Sequence, residues 1–71
     1  MDDVAVSGPL PLSAFLKLAG VAATGGHAKI IVQSGDVTVN GEVETRRGRA
    51  LQAGDVVVVG GREYRVWSSP D

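Results

Sequence analysis

Seventy-one residues make one domain, close to the lower size at which a single hydrophobic core holds itself together. With no cysteine and a single histidine, His27, the chain offers no disulfide framework, thiolate metal site or cysteine nucleophile, and neither metal nor cofactor is expected. A formal net charge of −1 weighs against a uniformly basic nucleic-acid binder, so any site for a polyanion has to be local.

Locality is what the charges show. Asp2, Asp3 and Asp71 fall at expected frayed ends, whereas Lys17, Lys29, Arg46, Arg47 and Arg49 lie in the middle. At physiological salt the Debye length is only about 8 Å, so neighbours count for more than the sum. Phe15, Tyr64 and Trp67 are the only aromatic residues, which leaves the core to aliphatic side chains. No apolar run approaches membrane-spanning length and no cleavable signal is visible, so a cytoplasmic protein is the expectation.

Residues 1–11 mix acids, glycine and two prolines and predict a mobile tail, with a short extended piece near Leu10 to Leu12. A first helix follows, with Ser13 as its N-cap. Leu12, Phe15, Leu16 and Ala19 share one face, Lys17 points the other way, and Gly20 ends it. Residues 20–23 are a short connection, so two helices meet in a helix-turn-helix arrangement. Thr24 caps the second helix, and Gly35 sits where a left-handed C-terminal glycine belongs. Ala28, Ile31 and Val32 recur at i, i+3 and i+4, a narrow stripe facing a core. Lys29 and Gln33 lie on the opposite side.

The period then changes to two. Val37 and Val39 alternate with Thr38, and Asn40-Gly41 predicts a tight hairpin into a strand around Glu42 to Glu44. A polar loop, Thr45 to Arg49, interrupts before Leu51 returns to the core. Ala53-Gly54-Asp55 turns into Val56–Val59, apolar enough to be a central strand. Gly60-Gly61 turns the chain back into Arg62–Trp67, where Tyr64 and Val66 share a side. The class is α+β: a two-helix helix-turn-helix unit packed on a small, mostly antiparallel sheet. One domain spans 12–67, between a flexible N-terminal tail (1–11) and a C-terminal tail (68–71).

Five blocks occur in a specific order and spacing: Phe15 to Gly20, Thr24-Gly-Gly-His-Ala-Lys29, Gly35-Asp-Val-Thr-Val-Asn-Gly41, Glu44-Thr-Arg-Arg-Gly-Arg49 and Leu51-Gln-Ala-Gly-Asp-Val56. Together they resemble the stand-alone bacterial form of the S-four RNA-binding domain, named for small-subunit ribosomal protein four, in its short YbcJ-like branch. The likeness runs from about Leu12 to Val66. It implies an alpha-L RNA-binding motif that contacts structured RNA, ribosomal or transfer, through the helix pair and an adjacent basic loop, free or within a ribosomal particle. The chain departs from the pattern at Thr24-Gly25, where many members of the superfamily carry Ser-Arg. The missing helix-start arginine bears on affinity and on the choice of RNA.

The candidate RNA-binding residues are Lys17, Thr24, Gly25, Gly26, His27, Lys29, Arg46, Arg47 and Arg49. Three guanidiniums on a loop with a glycine can fork onto phosphate oxygens or stack on exposed bases; alternatively they form a solvated loop neutralised by Glu42 and Glu44. Thr24-Gly25-Gly26 opens a helix whose unpaired N–H groups and dipole favour an anion, and the absence of Cβ atoms allows close approach. The bland reading is that small residues let the two helices cross tightly. His27 suits a phosphate or a base better than acid–base chemistry. Tyr64 and Trp67 are expected to cover the core, and Arg62 and Arg65 to be strand-surface residues.

Other functions fit less well. No serine–histidine–acid set or metal cluster supports an enzyme, and Asp55 is expected to order a turn. A DNA-binding helix-turn-helix would need several arginines or amides at the start of its second helix, where Gly25 and Gly26 stand. Leu51-x-x-Gly-Asp-Val also suggests a ubiquitin-like sulfur carrier, but the terminal Gly-Gly is missing. A protein-interaction adaptor is the remaining alternative.

Overall fold

The structure, a computed structural model, describes residues 2–68. In chain order the elements are β1 (Asp2–Val6), β2 (Leu10–Pro11), α1 (Leu12–Leu18), α2 (Gly25–Gln33), β3 (Val37–Val39), β4 (Glu42–Val43), β5 (Ala50–Leu51), β6 (Val56–Val59) and β7 (Arg62–Ser68). Five strands form one sheet in the order β1-β7-β6-β3-β4, antiparallel except for the β1–β7 pair, and β2 with β5 forms a second, two-stranded sheet. Two helices on a mostly antiparallel sheet is the expected class.

Alternation decides which side of the large sheet meets the helices. Tyr64, Val57 and Val39 stand in one cross-strand row, and Val59 pairs with Val37; all five are buried. Against them pack Leu12, Phe15 and Leu16 from α1 with Ala28 and Val32 from α2. Phe15 meets the Tyr64 ring edge-on, centroids 6.5 Å apart. Such a pair adds about 0.5–1.5 kcal/mol beyond the area it buries. The central strand β6 is less enclosed than its four valines suggest. Val57 and Val59 are buried, but Val56 and Val58 face the open side and are only partly covered.

Three expectations need correction. Residues 2–6 are not a tail: Val4 and Val6 alternate onto the core, and the strand pairs with β7 from Asp2–Tyr64 to Val6–Ser68. The N-cap of α1 is Pro11, not Ser13, and no side chain caps it. Instead the N–H groups of Leu12 and Ser13 donate to the carbonyls of Arg49 and Arg47 at 2.8 and 3.0 Å, which satisfies donors that a helix start would otherwise leave unpaired. Trp67 does not cover the core. It stands one residue beyond Val66, on the opposite face of β7, and is 47% exposed.

Other local expectations hold. Asn40 and Gly41 take φ of +53° and +87°, as a two-residue hairpin turn between β3 and β4 requires. Gly35, at φ +85°, follows the end of α2. Ser68 closes β7, whereas the rest of the expected C-terminal tail, residues 69–71 with Asp71, lies outside the described residues. Among the described residues no helix is long and apolar enough to cross a membrane.

Candidate nucleic-acid interface

The segment Thr45–Arg49 is a closed turn, not a slack loop. The Arg49 N–H donates to the Arg46 carbonyl at 3.2 Å, which puts Arg47 and Gly48 at its tip. Two sets of bonds fasten it. On one side, the carbonyls of Arg47 and Arg49 receive the first N–H groups of α1. On the other stands Glu44, whose own N–H donates to the Val37 carbonyl at the start of β3. Its Oε2 accepts from the Arg46 backbone N–H at 3.0 Å and from Arg46 Nε at 3.1 Å. Its Oε1 accepts from Arg46 Nη2 at 3.3 Å and Arg49 Nη1 at 3.1 Å. An open hollow of about 490 Å³ lies beside the turn, lined by Arg46, Gly48, Arg49 and Ala50.

These contacts set the electrostatics of the turn. Hydrogen bonds from the Arg46 side chain, then from its backbone N–H, lower the Glu44 carboxyl from 4.5 to about 2, with Arg49 adding to the effect and burial opposing it. Reciprocally, Glu44 raises Arg46. Glu44 is the residue of this turn that sequence reasoning undervalued, read there only as a nearby neutralising charge. Its signal was a glutamate immediately preceding the Thr-Arg-Arg-Gly-Arg run; Glu42, the other expected neutraliser, makes no ion pair among the described residues.

Lys17 lies on the face of α1 that carries Ser13, four residues earlier, about 6 Å on. Lys17 is exposed, and the start of its helix is joined to the arginine turn by the bond from the Ser13 N–H to the Arg47 carbonyl. In α2, Thr24 is the N-cap, with its Oγ1 accepting from the His27 N–H at 3.0 Å. His27 Nδ1 reciprocates by accepting from the Ala23 N–H at 3.3 Å, so the ring is part of the cap and Nε2 is left for other partners. Lys29 sits one turn beyond Gly25 on the same face and is exposed. Of the nine candidates, Arg46, Arg47 and Arg49 thus share one turn, Thr24 to Lys29 share the start of α2, and Lys17 stands on α1, the helix whose first N–H groups bond to that turn. Packing of α1 on α2 links them.

The two glycines do not serve that packing. A Cβ built at Gly25 meets nothing within 4 Å, and one at Gly26 meets only Thr24 Oγ1 at 3.9 Å. The tight-crossing explanation fails for both positions. Two adjacent glycines at a helix start leave the backbone N–H groups uncovered instead.

The seven lysines and arginines divide sharply. Arg46 and Arg49 share Glu44, while Arg62 and Arg65 face Asp2 at 3.7 Å and Asp3 at 2.9 Å across the β1–β7 pair. Lys17, Lys29 and Arg47 make no ion pair among the described residues. All three are on the helix pair or on the turn bonded to it.

The S4 domain family model matches residues 7–67. The chain belongs to the S4 domain family. This S4 domain is 48% identical over 52 residues to "Probable ribosome maturation protein RlbA" of Bacillus subtilis (strain 168), covering 73% of each chain. It is 41% identical over 51 residues to YbcJ of Escherichia coli (strain K12), covering 72% of this chain and 73% of that one. The solution structure of Escherichia coli YbcJ, described as revealing an alpha-L motif involved in RNA binding, matches with a TM-score of 0.72 at 33% identity over 94% of this chain and 87% of that one. The 30S ribosomal protein S4e of Thermoplasma acidophilum matches with a TM-score of 0.60 at 27% identity over 82% of this chain and 30% of that one. The family and fold implied by the sequence resemblance are those found. The match begins at Ser7, so β1 lies outside the family model.

Proposed function

We propose that this S4 domain is a non-enzymatic RNA-binding module that grips the phosphate backbone of structured RNA, ribosomal or transfer, in the cytoplasm, free or within a ribosomal particle. The observation that carries the reading is the division of cations. Those without an acid partner among the described residues, Lys17, Lys29 and Arg47, sit on α1, α2 and the turn fastened to α1, whereas the arginines of β7 are paired with acids of β1. Family membership and the RNA-binding description of the YbcJ structure support the same reading.

In this reading Arg47, at the tip of a rigid turn, reaches a phosphate, and Arg46 and Arg49 flank it. Lys17 extends the contact along α1. The start of α2 adds a second contact: the N–H groups of Gly25 and Gly26 with the helix dipole take a phosphate in place of the arginine absent from position 25, beside Lys29 and His27. Thr24 contributes by fixing the helix start. Crosslinking in cells, followed by sequencing of the bound RNA, tests the reading. Enrichment of defined ribosomal or transfer RNA segments, lost on replacing Arg47 with alanine, is the expected result. Recovery of no RNA above background would overturn it in favour of a protein-interaction adaptor.

A further inference from the structure

We propose that Glu44 is a positioning residue for RNA binding: its carboxylate holds the guanidiniums of Arg46 and Arg49 in the orientation that meets phosphate, so a negative charge beside the site strengthens its grip on a polyanion. The inference rests on the RNA-binding reading above and gives it a sign that simple charge counting reverses.

Three features carry it. First, the Glu44 side chain is sealed, with 8% of its surface exposed, whereas Arg46 is 79% exposed. The acid is beneath the turn and the cation on top of it, so the carboxylate does not occupy the outer surface where RNA arrives. Second, the bonding leaves donors to spare. A guanidinium has five N–H groups. Glu44 takes two from Arg46, through Nε and Nη2, and one from Arg49, through Nη1, and the rest remain for a phosphate. Third, the holder is itself held: Glu44 is bonded through its N–H to Val37 and through Oε2 to the Arg46 backbone, so the clamp is referenced to the sheet.

The physical consequence concerns entropy. An exposed arginine samples many rotamers, and a ligand that fixes them loses affinity in doing so. Here the planar forks are fixed before the ligand arrives, and the opposing charge is bracketed by the two cations that it orients. Preorganisation and repulsion act in opposite directions, and the buried four-bond geometry favours the first.

The test uses the full chain titrated with a labelled pool of fragmented bacterial ribosomal RNA at fixed salt. Glu44→Gln raises the net charge by one, yet it is expected to weaken binding by roughly five- to tenfold, because an amide replaces one of the two acceptor oxygens with an NH2 donor that faces a guanidinium. Glu63→Gln adds the same charge at an exposed β7 position without an ion-pair partner among the described residues. It is expected to bind as tightly as the parent or slightly more tightly. Arg46→Lys, at an exposed position, keeps the charge but loses the fork, with an expected loss of about threefold or more. In nitrogen-15 spectra the Arg46 Nε–H signal is expected to be slow to exchange in the parent and averaged in Glu44→Gln.

Glu44→Gln binding as tightly as the parent, or more tightly, overturns the proposal. Should that variant not fold, unchanged affinity in Arg46→Lys does the same. A parent chain that ignores the RNA pool sinks the RNA reading and this inference together, whereas parent binding with unimpaired Glu44→Gln sinks this inference alone.

Discussion

A methyl group added at position 25 would touch nothing, and that single fact separates two explanations for the glycine pair. If Gly25 served packing, Gly25→Ala would destabilise the fold. Instead it should leave the melting temperature unchanged or raise stability by up to about 1 kcal/mol through helix propensity, while weakening RNA binding by crowding the backbone N–H groups. Thermal melts and titrations on the same variant check both halves; a fall in stability would restore the packing view. Glu44 makes a second prediction at this scale. Its carboxyl is depressed from 4.5 to about 2 in the folded chain, so its contribution to stability is fully present above the unfolded value and is lost as pH falls from 4.5 toward 2. Urea midpoints measured across that window should fall less steeply for Glu44→Gln than for the parent. Parallel slopes would mean that the clamp does not persist in solution.

Elements in this fold are held by ties between turns as much as by their own pairing. Asn40, in the β3–β4 hairpin, donates from Nδ2 to Asp55 at 3.0 Å and accepts on Oδ1 from the Val56 N–H at 2.9 Å. Asp55 in turn accepts from the Gln52 N–H at 2.8 Å, as expected of a turn-ordering residue. Two of the sequence blocks that carry the family resemblance are thus bonded to each other and serve the scaffold. Asn40→Ala loses two side-chain hydrogen bonds at the surface and a residue tolerant of positive φ, and should cost about 1–2 kcal/mol in chemical denaturation with RNA affinity little changed. The strand β1 is an element of the same kind. Removing residues 1–6 uncovers the edge of β7 and deletes the buried Val6, so the truncated chain should lose about 2 kcal/mol or more. A melting curve identical to the parent's would return those residues to the status of a tail.

Across the whole molecule the net charge says little, because positive and negative groups are sorted by location. Acids of β1 neutralise the β7 arginines at one edge of the sheet, whereas the helix pair and its turn carry Lys17, Lys29 and Arg47 without acid partners among the described residues. If these three cations contact phosphates together with Arg46 and Arg49, as proposed, the slope of log affinity against log salt should be roughly −3 to −4. Arg47→Ala should make that slope shallower by about 0.7 to 0.9, whereas Arg62→Ala and Arg65→Ala should leave it unchanged. Salt titrations of the three variants decide the matter; equal effects at all three would dissolve the distinction between the two ends of the molecule.

Local rules were enough for much of this architecture. Helical spacing placed Leu12, Phe15, Leu16, Ala28 and Val32 on buried faces, Thr24 had the chemistry of a cap, and Asn40-Gly41 could hardly be anything but a hairpin, because each of these depends on neighbours within a turn or two. The arginine run and the glycine pair were also visible as candidates, since clustered guanidiniums and bare helix starts are features of composition and spacing. Tertiary structure alone decided what those features are bonded to. It made β1 a strand, because its partner lies about sixty residues away; it capped α1 with carbonyls from the arginine turn in place of Ser13; and it sealed Glu44 beneath Arg46 and Arg49. Each of these is a contact between segments distant in sequence or a matter of burial, and neither is fixed by the residue itself.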